Sequence, residues 1–338
     1  MTLSTALALV ADIGGTNTRV ALADGAVVRQ DSVAKFRNAD FTGIDAVLAR
    51  YMQQSGLTQL DGACVAAAGP VQNGAVTMTN LFDEHGAAWI IDTGRVSRAT
   101  GAGHVAILND LQAQGQALGF IPAQNLRHVI SGPAMPGASM PGASMLVVGL
   151  GTGVNAAPVH NTPGGRLVPP SECGHVNMPV RSDEDLRLVR FIEARLTAAG
   201  EVPHAGVEEV LAGRGLINLH AFAASEAGSV ANLTSAEVLS ALDAGDPTAG
   251  HAARLYVRIL AQMLADLALI HLPYDGIFLI GGMARAMTPH FATYGLEAAF
   301  REDRRVDLLV TDFSVCVVED DFAALTGCAA YLASDGRG

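Results

Sequence analysis

Residues 11–22 of this 338-residue chain read ADIGGTNTRVAL, and this segment is the strongest indication of the fold. An apolar run predicts a buried strand over 5–12, and an alternating run after the Gly-Gly-Thr-Asn turn predicts a second strand over 18–23. The two glycines let backbone amides approach a phosphate closely, while Thr16 and Asn17 add side-chain donors. Both the P-loop and the dinucleotide fingerprint continue into a helix, whereas this turn continues into a strand. The motif is therefore either a phosphate-binding hairpin or a simple hairpin turn.

A second segment with the same order of strand, glycine-rich turn and strand begins the other half of the chain. A strand predicted over 145–148 runs into Gly149-Leu-Gly-Thr-Gly153, and an apolar stretch follows over 154–159. The sequence MPGAS occurs twice in tandem over 135–144, which predicts an exposed loop at a boundary between the halves. The shared order of strand, Gly/Thr turn and strand indicates a structural duplication. Two such hairpins facing each other across a cleft would hold a triphosphate.

Asn109 and Asp110 follow the strand predicted over 105–108. A carboxylate at the carboxyl end of a strand points into the crevice where α/β proteins bind ligands, so Asp110 is a candidate acceptor for a substrate hydroxyl proton. Asn and Asp also begin helices routinely, and good helix formers follow them here. A purely structural helix cap therefore remains the alternative.

Three further segments carry polar or glycine signals. Glu172 and His175, in a Gly/Pro-rich loop, offer an acceptor and a donor for a polyol, although His175 alone is as typical of a structural histidine. Glu208 begins a short predicted helix, where its charge would also be favourable without any function. Gly281-Gly282, after a predicted strand, would admit an adenine face or a phosphate, or simply form a tight turn. Cys173 near His175 lacks a context that lowers a thiol pKa, which disfavours a Cys/His nucleophile.

Composition excludes several classes of function. The net charge of −12 disfavours nucleic acid as the main partner. With 50% hydrophobic and 16% charged residues, the chain is too apolar for disorder and can bury a large core. The apolar stretch from Leu255 to Leu272 is interrupted by charged side chains, which disfavours a membrane span. Four widely spread cysteines, and a first segment without a basic region, favour a reducing cytoplasm over secretion.

Taken together, these motifs resemble the bacterial glucokinase family, and the resemblance covers nearly the whole chain. Besides the two hairpins, the matching segments in order are AAAGPV (66–71), MTN (78–80), ILNDLQAQGQAL (107–118), SECGHVNMP (171–179), VEEVLAGRGLINLH (207–220) and GIFLIGGMARAM (276–287). The family belongs to the superfamily of sugar kinases, actin and heat-shock-chaperone ATPases. The resemblance implies an α/β fold of two ribonuclease-H-like domains with mixed sheets flanked by helices, with ATP and sugar in the interdomain cleft. The expected domains are residues 1–118 plus 320–338, and residues 119–319.

The resemblance also implies a role for each matching residue in ATP-dependent phosphorylation of glucose at its 6-hydroxyl, a step of glycolysis. Asp110 would be the general base. The sugar would be bound by Asn109, Asp110, Glu172, His175 and Glu208. ATP would be bound by Asp12, Ile13, Gly14, Gly15, Thr16, Asn17, Gly151, Thr152, Gly281 and Gly282. Asp12 would hold Mg²⁺, through water, and the expected assembly is a homodimer.

The chain departs from the family pattern at three positions near these segments. Cys173 and Asn155 stand where the family usually has Gly, and Arg214 stands where it usually has Pro. The stretch LFDEHGAAW (81–89) is also longer than usual. These departures leave open a kinase for another hexose or a non-catalytic sugar-binding regulator. An intact Asp110, no helix-turn-helix before the first strand and no separate peptide-binding domain argue against a regulator and against a chaperone-like ATPase.

Overall fold

The computed structural model describes residues 7–132, 143–163, 165–305 and 312–335, so most of the tandem MPGAS sequence lies outside the described residues. The strands that it describes are β1 (Leu7–Ile13), β2 (Asn17–Asp24), β3 (Val27–Val28), β4 (Ala34–Arg37), β5 (Gly62–Ala67), β6 (Ala75–Phe82), β7 (Ala88–Asp92), β8 (His104–Asn109), β9 (Leu126–Ile130), β10 (Ser144–Leu150), β11 (Val154–Thr162), β12 (Gly165–Leu167), β13 (Ile277–Ile280) and β14 (Val315–Val318).

Helices alternate with these strands and complete a mixed α/β fold. Those described are α1 (Ile44–Ser55), α2 (Thr93–Thr100), α3 (Asp110–Ala117), α4 (Asp183–Ala198), α5 (Glu208–Leu211), α6 (Gly213–Glu226), α7 (Ser235–Asp243), α8 (Pro247–His271), α9 (Gly282–Phe291), α10 (Leu296–Phe300) and α11 (Ala323–Asp335). Within the described ranges, no helix combines the length and the apolar character that a membrane crossing needs.

The first of two compact units contains the sheet β3-β2-β1-β5-β8, in which β4 also pairs with β2. β1 and β2 are antiparallel, whereas β1, β5 and β8 are parallel to one another. Alternate residues of β1 enter two cores, because Leu9 packs with α1 residues on one face and Val10 with α11 residues on the other. The register aligns Ile13 with Ala67 and Ala67 with Asn109, so the carboxyl ends of all three parallel strands lie at one edge.

The second sheet, most of which belongs to the second unit, shares part of this arrangement. Its order is β12-β11-β10-β13-β14-β9, and β10 runs parallel to β13 with Gly149 opposite Ile280. β13 is also parallel to β14, whereas β9 is antiparallel to β14. The Gly/Thr turn after β10 and the Gly-Gly segment after β13 therefore also lie at one sheet edge. A single large core packs α6 and α8 against this sheet, with Tyr256 fully buried and its hydroxyl donating to the Leu211 carbonyl at 2.8 Å.

The boundaries expected from the sequence differ from these units in two places. Residues 119–123 and 159–170 pack with the first unit rather than with the second. The reason is visible on α3, where Gln112 Nε2 and Gln116 Nε2 each donate to a backbone carbonyl of the 159–170 segment at 3.0 Å. The end of β11 and all of β12 are therefore held by a helix that lies earlier in the chain.

Candidate functional site

The turn between β1 and β2 is held in one conformation by hydrogen bonds. Gly14 N donates to Asn17 O at 3.0 Å, which closes the turn. Asn38, which is almost fully buried, donates through Nδ2 to Gly14 O at 2.7 Å and accepts at Oδ1 from the Thr18 hydroxyl at 2.8 Å. The first glycine motif is thus a β-hairpin turn, as predicted, and Asn38 is its anchor.

The Asn80 side chain lies against Gly15. A Cβ at this position would lie 2.8 Å from Asn80 Nδ2, so a larger residue would require the Asn80 side chain to move. Asn80, on β6, is therefore beside the glycine turn, although the two are far apart in sequence. Thr16 and Asn17 complete the turn, and Asn17 begins β2.

Asp12 lies near the end of β1, opposite Arg19 of β2. Arg19 Nη1 approaches Asp12 Oδ2 to only 3.5 Å, at the limit of a hydrogen bond. Burial raises the pKa of Asp12, and the Arg19 guanidinium only partly opposes this shift. The negative charge of the Asp12 carboxylate is therefore only partly neutralised by Arg19, and a carboxylate in this condition attracts a cation strongly.

Asp110 is the first residue of α3, and Asn109 caps that helix. Asn109 Oδ1 accepts from Leu111 N at 3.0 Å, and Gln112 Oε1 accepts from Asn109 N at 3.1 Å, which is a capping box. Burial raises the pKa of Asp110 to about 6, against a hydrogen bond from Leu111 N and with a further upward contribution from Asp12. Asn109 thus supplies the capping box, while Asp110 Oδ1 also accepts from Leu111 N at 2.9 Å. A carboxyl group with a pKa near 6 can exchange a proton near neutral pH.

In the second unit, three helices begin at the wall of one cleft of about 590 Å³. Gly213 is the first residue of α6, Ser235 of α7 and Gly282 of α9, and all three line the cleft. The other lining residues are Gly151, Thr152, Arg214, Ile217 and Met283. Helix N-termini carry partial positive charge, so a cleft where three of them meet has the electrostatics to accept an anion. Apolar Ile217 and Met283 suit the flat face of a base.

Close backbone contacts hold the segments that surround this cleft. Gly213 N donates to Gly151 O at 3.0 Å, which docks the start of α6 on the Gly/Thr turn. Gly281 has φ of +102°, and a Cβ there would lie 2.3 Å from Leu150 O. The prediction that Gly281-Gly282 forms a tight strand–helix turn and the prediction that it meets a ligand are therefore compatible.

Glu208 and the loop with Glu172 and His175 form a second cluster in this unit. Glu208 Oε2 accepts from Val154 N at 2.8 Å, directly after the Gly/Thr turn. Glu172 and His175 are exposed on a short 3₁₀ turn in which His175 N donates to Glu172 O at 3.1 Å. A Cβ on Gly174 would collide with Val154 O at 2.0 Å, so this loop lies tightly against β11.

Asn155, one of the departures from the expected pattern, has a structural role in this loop. Asn155 Nδ2 donates to Ser171 O, and Asn155 Oδ1 accepts from Cys173 N at 3.2 Å. The side chain therefore fixes the residues on both sides of Glu172. Burial raises the pKa of the Cys173 thiol, which agrees with its rejection as a nucleophile.

The structure thus brings the sequence-predicted residues together in two sets, one per unit. The first holds Asp12, Ile13, Gly14, Gly15, Thr16, Asn17, Asn109 and Asp110 at one sheet edge. The second holds Gly151, Thr152, Gly281, Gly282, Glu172, His175 and Glu208 around the Gly/Thr turn. Sequence reasoning missed Asn38 and Ser235, which lie outside the glycine motifs.

The chain is similar to known proteins over almost its whole length. The glucokinase family model matches residues 9–335. The glucokinase of Marinobacter nauticus is 30% identical, with 96% of each chain covered. The crystal structure of a glucokinase from an Antarctic psychrotroph is similar at a TM-score of 0.81 and 25% identity, covering 96% of this chain and 98% of its own. A glucokinase from Streptomyces griseus, of the ROK family and solved with glucose and AMPPNP, shares the fold at a TM-score of 0.61 and 18% identity, covering 96% and 98%. The chain belongs to the glucokinase family.

Proposed function

We propose that this chain transfers the γ-phosphoryl group of ATP to the 6-hydroxyl of glucose, giving glucose 6-phosphate and ADP, with Asp110 as the general base. The observation that carries the proposal is the desolvated Asp110 carboxylate, whose pKa is raised to about 6 at the sheet edge that also holds the glycine turn. A base with this pKa is mostly ionised at pH 7, yet it binds a proton far better than an ordinary aspartate does.

Positioning supplies most of the rate in phosphoryl transfer, so the other residues act by holding the substrates. Asp110 orients the 6-hydroxyl toward the phosphorus and accepts its proton late, as the new O–P bond forms and the bond to ADP breaks. We propose that Asn109, Glu172, His175 and Glu208 bind the remaining sugar hydroxyls. A site that reads hydroxyls by charge-assisted hydrogen bonds rejects sugars that lack one of them.

ATP is proposed to bind where backbone amides converge. The cleft with three helix N-termini supports a nucleotide there, with Gly151, Thr152 and Gly282 toward phosphate. The glycine turn around Gly14 and Gly15 offers further amides for the phosphates. The Streptomyces griseus protein bound to AMPPNP and glucose supports this pair of substrates.

Mg²⁺ fits the donor set of the first unit. The described residues contain no cluster of three or more metal-ligating side chains. Mg²⁺, however, usually takes one or two carboxylates and completes its shell with water and phosphate. Asp12, a partly buried carboxylate with a weak Arg19 contact, would hold the ion through water. The ion would neutralise charge on the transferring phosphate.

Finer assignments that the resemblance implies are proposed with this function. Each unit is proposed to be ribonuclease-H-like, because both sheets place a glycine turn and the end of a parallel strand at one edge. A cytoplasmic location is proposed, supported by four cysteines that are all free. A homodimer is proposed as well, and the molar mass in solution tests it.

The experiment that tests the proposed function is ADP release with Mg-ATP over a panel of hexoses, with the product identified. We expect release that depends on glucose and yields glucose 6-phosphate. A preference for fructose, mannose or an amino sugar would retain the kinase and correct the substrate. Tight sugar binding without ADP release for any sugar would instead indicate the non-catalytic regulator.

The Asn155→Gly substitution, which restores the residue usual in the family, tests the role of the sugar loop. We expect the KM for glucose to rise about threefold to tenfold with kcat nearly unchanged, because loss of two side-chain hydrogen bonds loosens the residues that flank Glu172. Steady-state kinetics measures this. Asn161→Gly, at an exposed position on β11, is the matched control. An unchanged KM in Asn155→Gly would contradict this role.

A further inference from the structure

Arg214 occupies an unusual position, because it touches two sites at once. Its side chain lines the 590 Å³ cleft, together with Gly151 and Thr152. The same guanidinium donates through Nη2 to Glu208 Oε1 and through Nε to Glu209 Oε1 at 2.8 Å. It therefore bridges the cleft proposed for ATP and a carboxylate proposed for sugar binding.

The charge distribution singles out this side chain. Of the cleft-lining residues in the described part of the chain, Arg214 alone carries a charge. Its side chain is 48% exposed, whereas those of Glu208 and Glu209 are only 15% exposed. A guanidinium has five donors, so it can keep one carboxylate and still present N–H groups to an anion.

Glu208 is held at both of its oxygens. Oε1 accepts from Arg214, and Oε2 accepts from Val154 N at 2.8 Å. A ligand that binds the Arg214 guanidinium would therefore remove the partner of Glu208 Oε1, while Oε2 keeps its hydrogen bond from Val154 N. The Glu208 carboxylate would keep its orientation, and Oε1 could then accept a hydrogen bond from a new donor.

We propose that Arg214 binds the phosphates of the nucleotide and, through its pairing with Glu208, couples nucleotide binding to sugar binding. The proposal rests on the proposed function and adds a residue to the nucleotide site. When the cleft is empty, Arg214 neutralises Glu208 and Glu209. When phosphate is present, its donors turn to phosphate oxygens, and Glu208 accepts from a sugar hydroxyl instead.

The test is calorimetry of the purified full chain with glucose and with Mg-AMPPNP, each alone and in the presence of the other. In the native protein we expect saturating Mg-AMPPNP to lower the Kd for glucose at least fivefold, and glucose to lower the Kd for Mg-AMPPNP by the same factor. In Arg214→Gln we expect the Kd for Mg-AMPPNP alone to rise about tenfold and the coupling factor to fall below two.

A matched control tests whether the effect is specific to Arg214, and a second variant of Arg214 guards against misfolding of the first. Arg187→Gln removes an equally exposed arginine that pairs with Glu226 at 2.7 Å outside the cleft, and it should change neither Kd. Arg214→Pro restores the family residue in the first turn of α6, where proline is tolerated, in case the Gln variant misfolds.

The outcomes separate this proposal from the proposed function. Unchanged Mg-AMPPNP affinity and unchanged coupling in both Arg214 variants would overturn it. A glucose affinity weakened equally with and without Mg-AMPPNP would also overturn it, because Arg214 would then only brace Glu208. Failure of the native protein to release ADP with any hexose would refute the proposed function itself.

Discussion

Asp110→Asn is expected to lower kcat for glucose phosphorylation by about 10³-fold, while the Kd for glucose changes by less than tenfold. General bases contribute typically 10²–10⁴ to rate, and an amide keeps most of the shape and hydrogen bonding of the carboxylate but accepts no proton. Asn109 still caps α3 in this variant, because the capping box does not involve the Asp110 side chain. ADP release at saturating substrates measures kcat, and calorimetry measures the Kd.

The stability of the same variant provides the control for folding. Since the pKa of Asp110 is raised to about 6 in the folded protein, ionised Asp110 destabilises the native state above that pH. Asp110→Asn is therefore expected to raise the free energy of unfolding at pH 8 by roughly 1–3 kcal/mol, at about 1.4 kcal/mol per pKa unit. The advantage should shrink as the pH falls through 6 and vanish below 4. A variant that is inactive and less stable at pH 8 would contradict this account of Asp110.

Gly327→Ala is expected to destabilise the first unit by about 3 kcal/mol or more, although alanine is the better helix former. Gly327 lies on α11 where that helix crosses α3, and a Cβ there would lie 1.6 Å from Ala113 O. Backbone cannot rotate out of the way as a side chain can, so the two helices must separate, and overpacking of this kind costs about 1–3 kcal/mol even where side chains adjust. Urea unfolding with an unchanged m-value measures the loss.

Because α3 begins at Asp110, the same substitution should also lower kcat. The matched control is Gly103→Ala, also in the first unit, where a Cβ would meet nothing within 4 Å and the backbone is not in the left-handed region. That change should lie within about 0.5 kcal/mol of the native protein. Equal stability of Gly327→Ala and Gly103→Ala would refute the close packing of α3 and α11.

The parts of the site predicted from sequence are those in which the signal is local. The turns Gly-Gly-Thr-Asn and Gly-Leu-Gly-Thr-Gly each consist of consecutive residues directly after a strand, so the local sequence is enough to predict them. Both turns lie where the patterns predicted them. The same holds for Asn109 and Asp110, since a strand end and a helix start were both visible. The sequence could not show whether Asp110 is a helix cap or a general base, because that choice depends on which side chain is buried.

The parts that were missed depend on contacts between distant segments. Asn38 anchors Gly14 across 24 residues, and nothing in its neighbourhood marks it. The convergence of α6, α7 and α9 on one cleft depends on the packing of the second core. Helix α1 and the β6–β7 hairpin were not assigned either, although both are regular elements of the first unit. The first-unit position of residues 159–170 likewise follows from α3 side chains that no local pattern links to it.

The role of Asp110 as the general base is best tested by the pH dependence of glucose-dependent ADP release at saturating Mg-ATP. We expect kcat/KM for glucose to be level above pH 7 and to fall about tenfold per pH unit below a pKa near 6, as Asp110 becomes protonated. The residual activity of Asp110→Asn, measured in the same buffers, should lack that acid limb. Release that is independent of glucose, or that shows the same acid limb in the native protein and in Asp110→Asn, would show that Asp110 is not the general base.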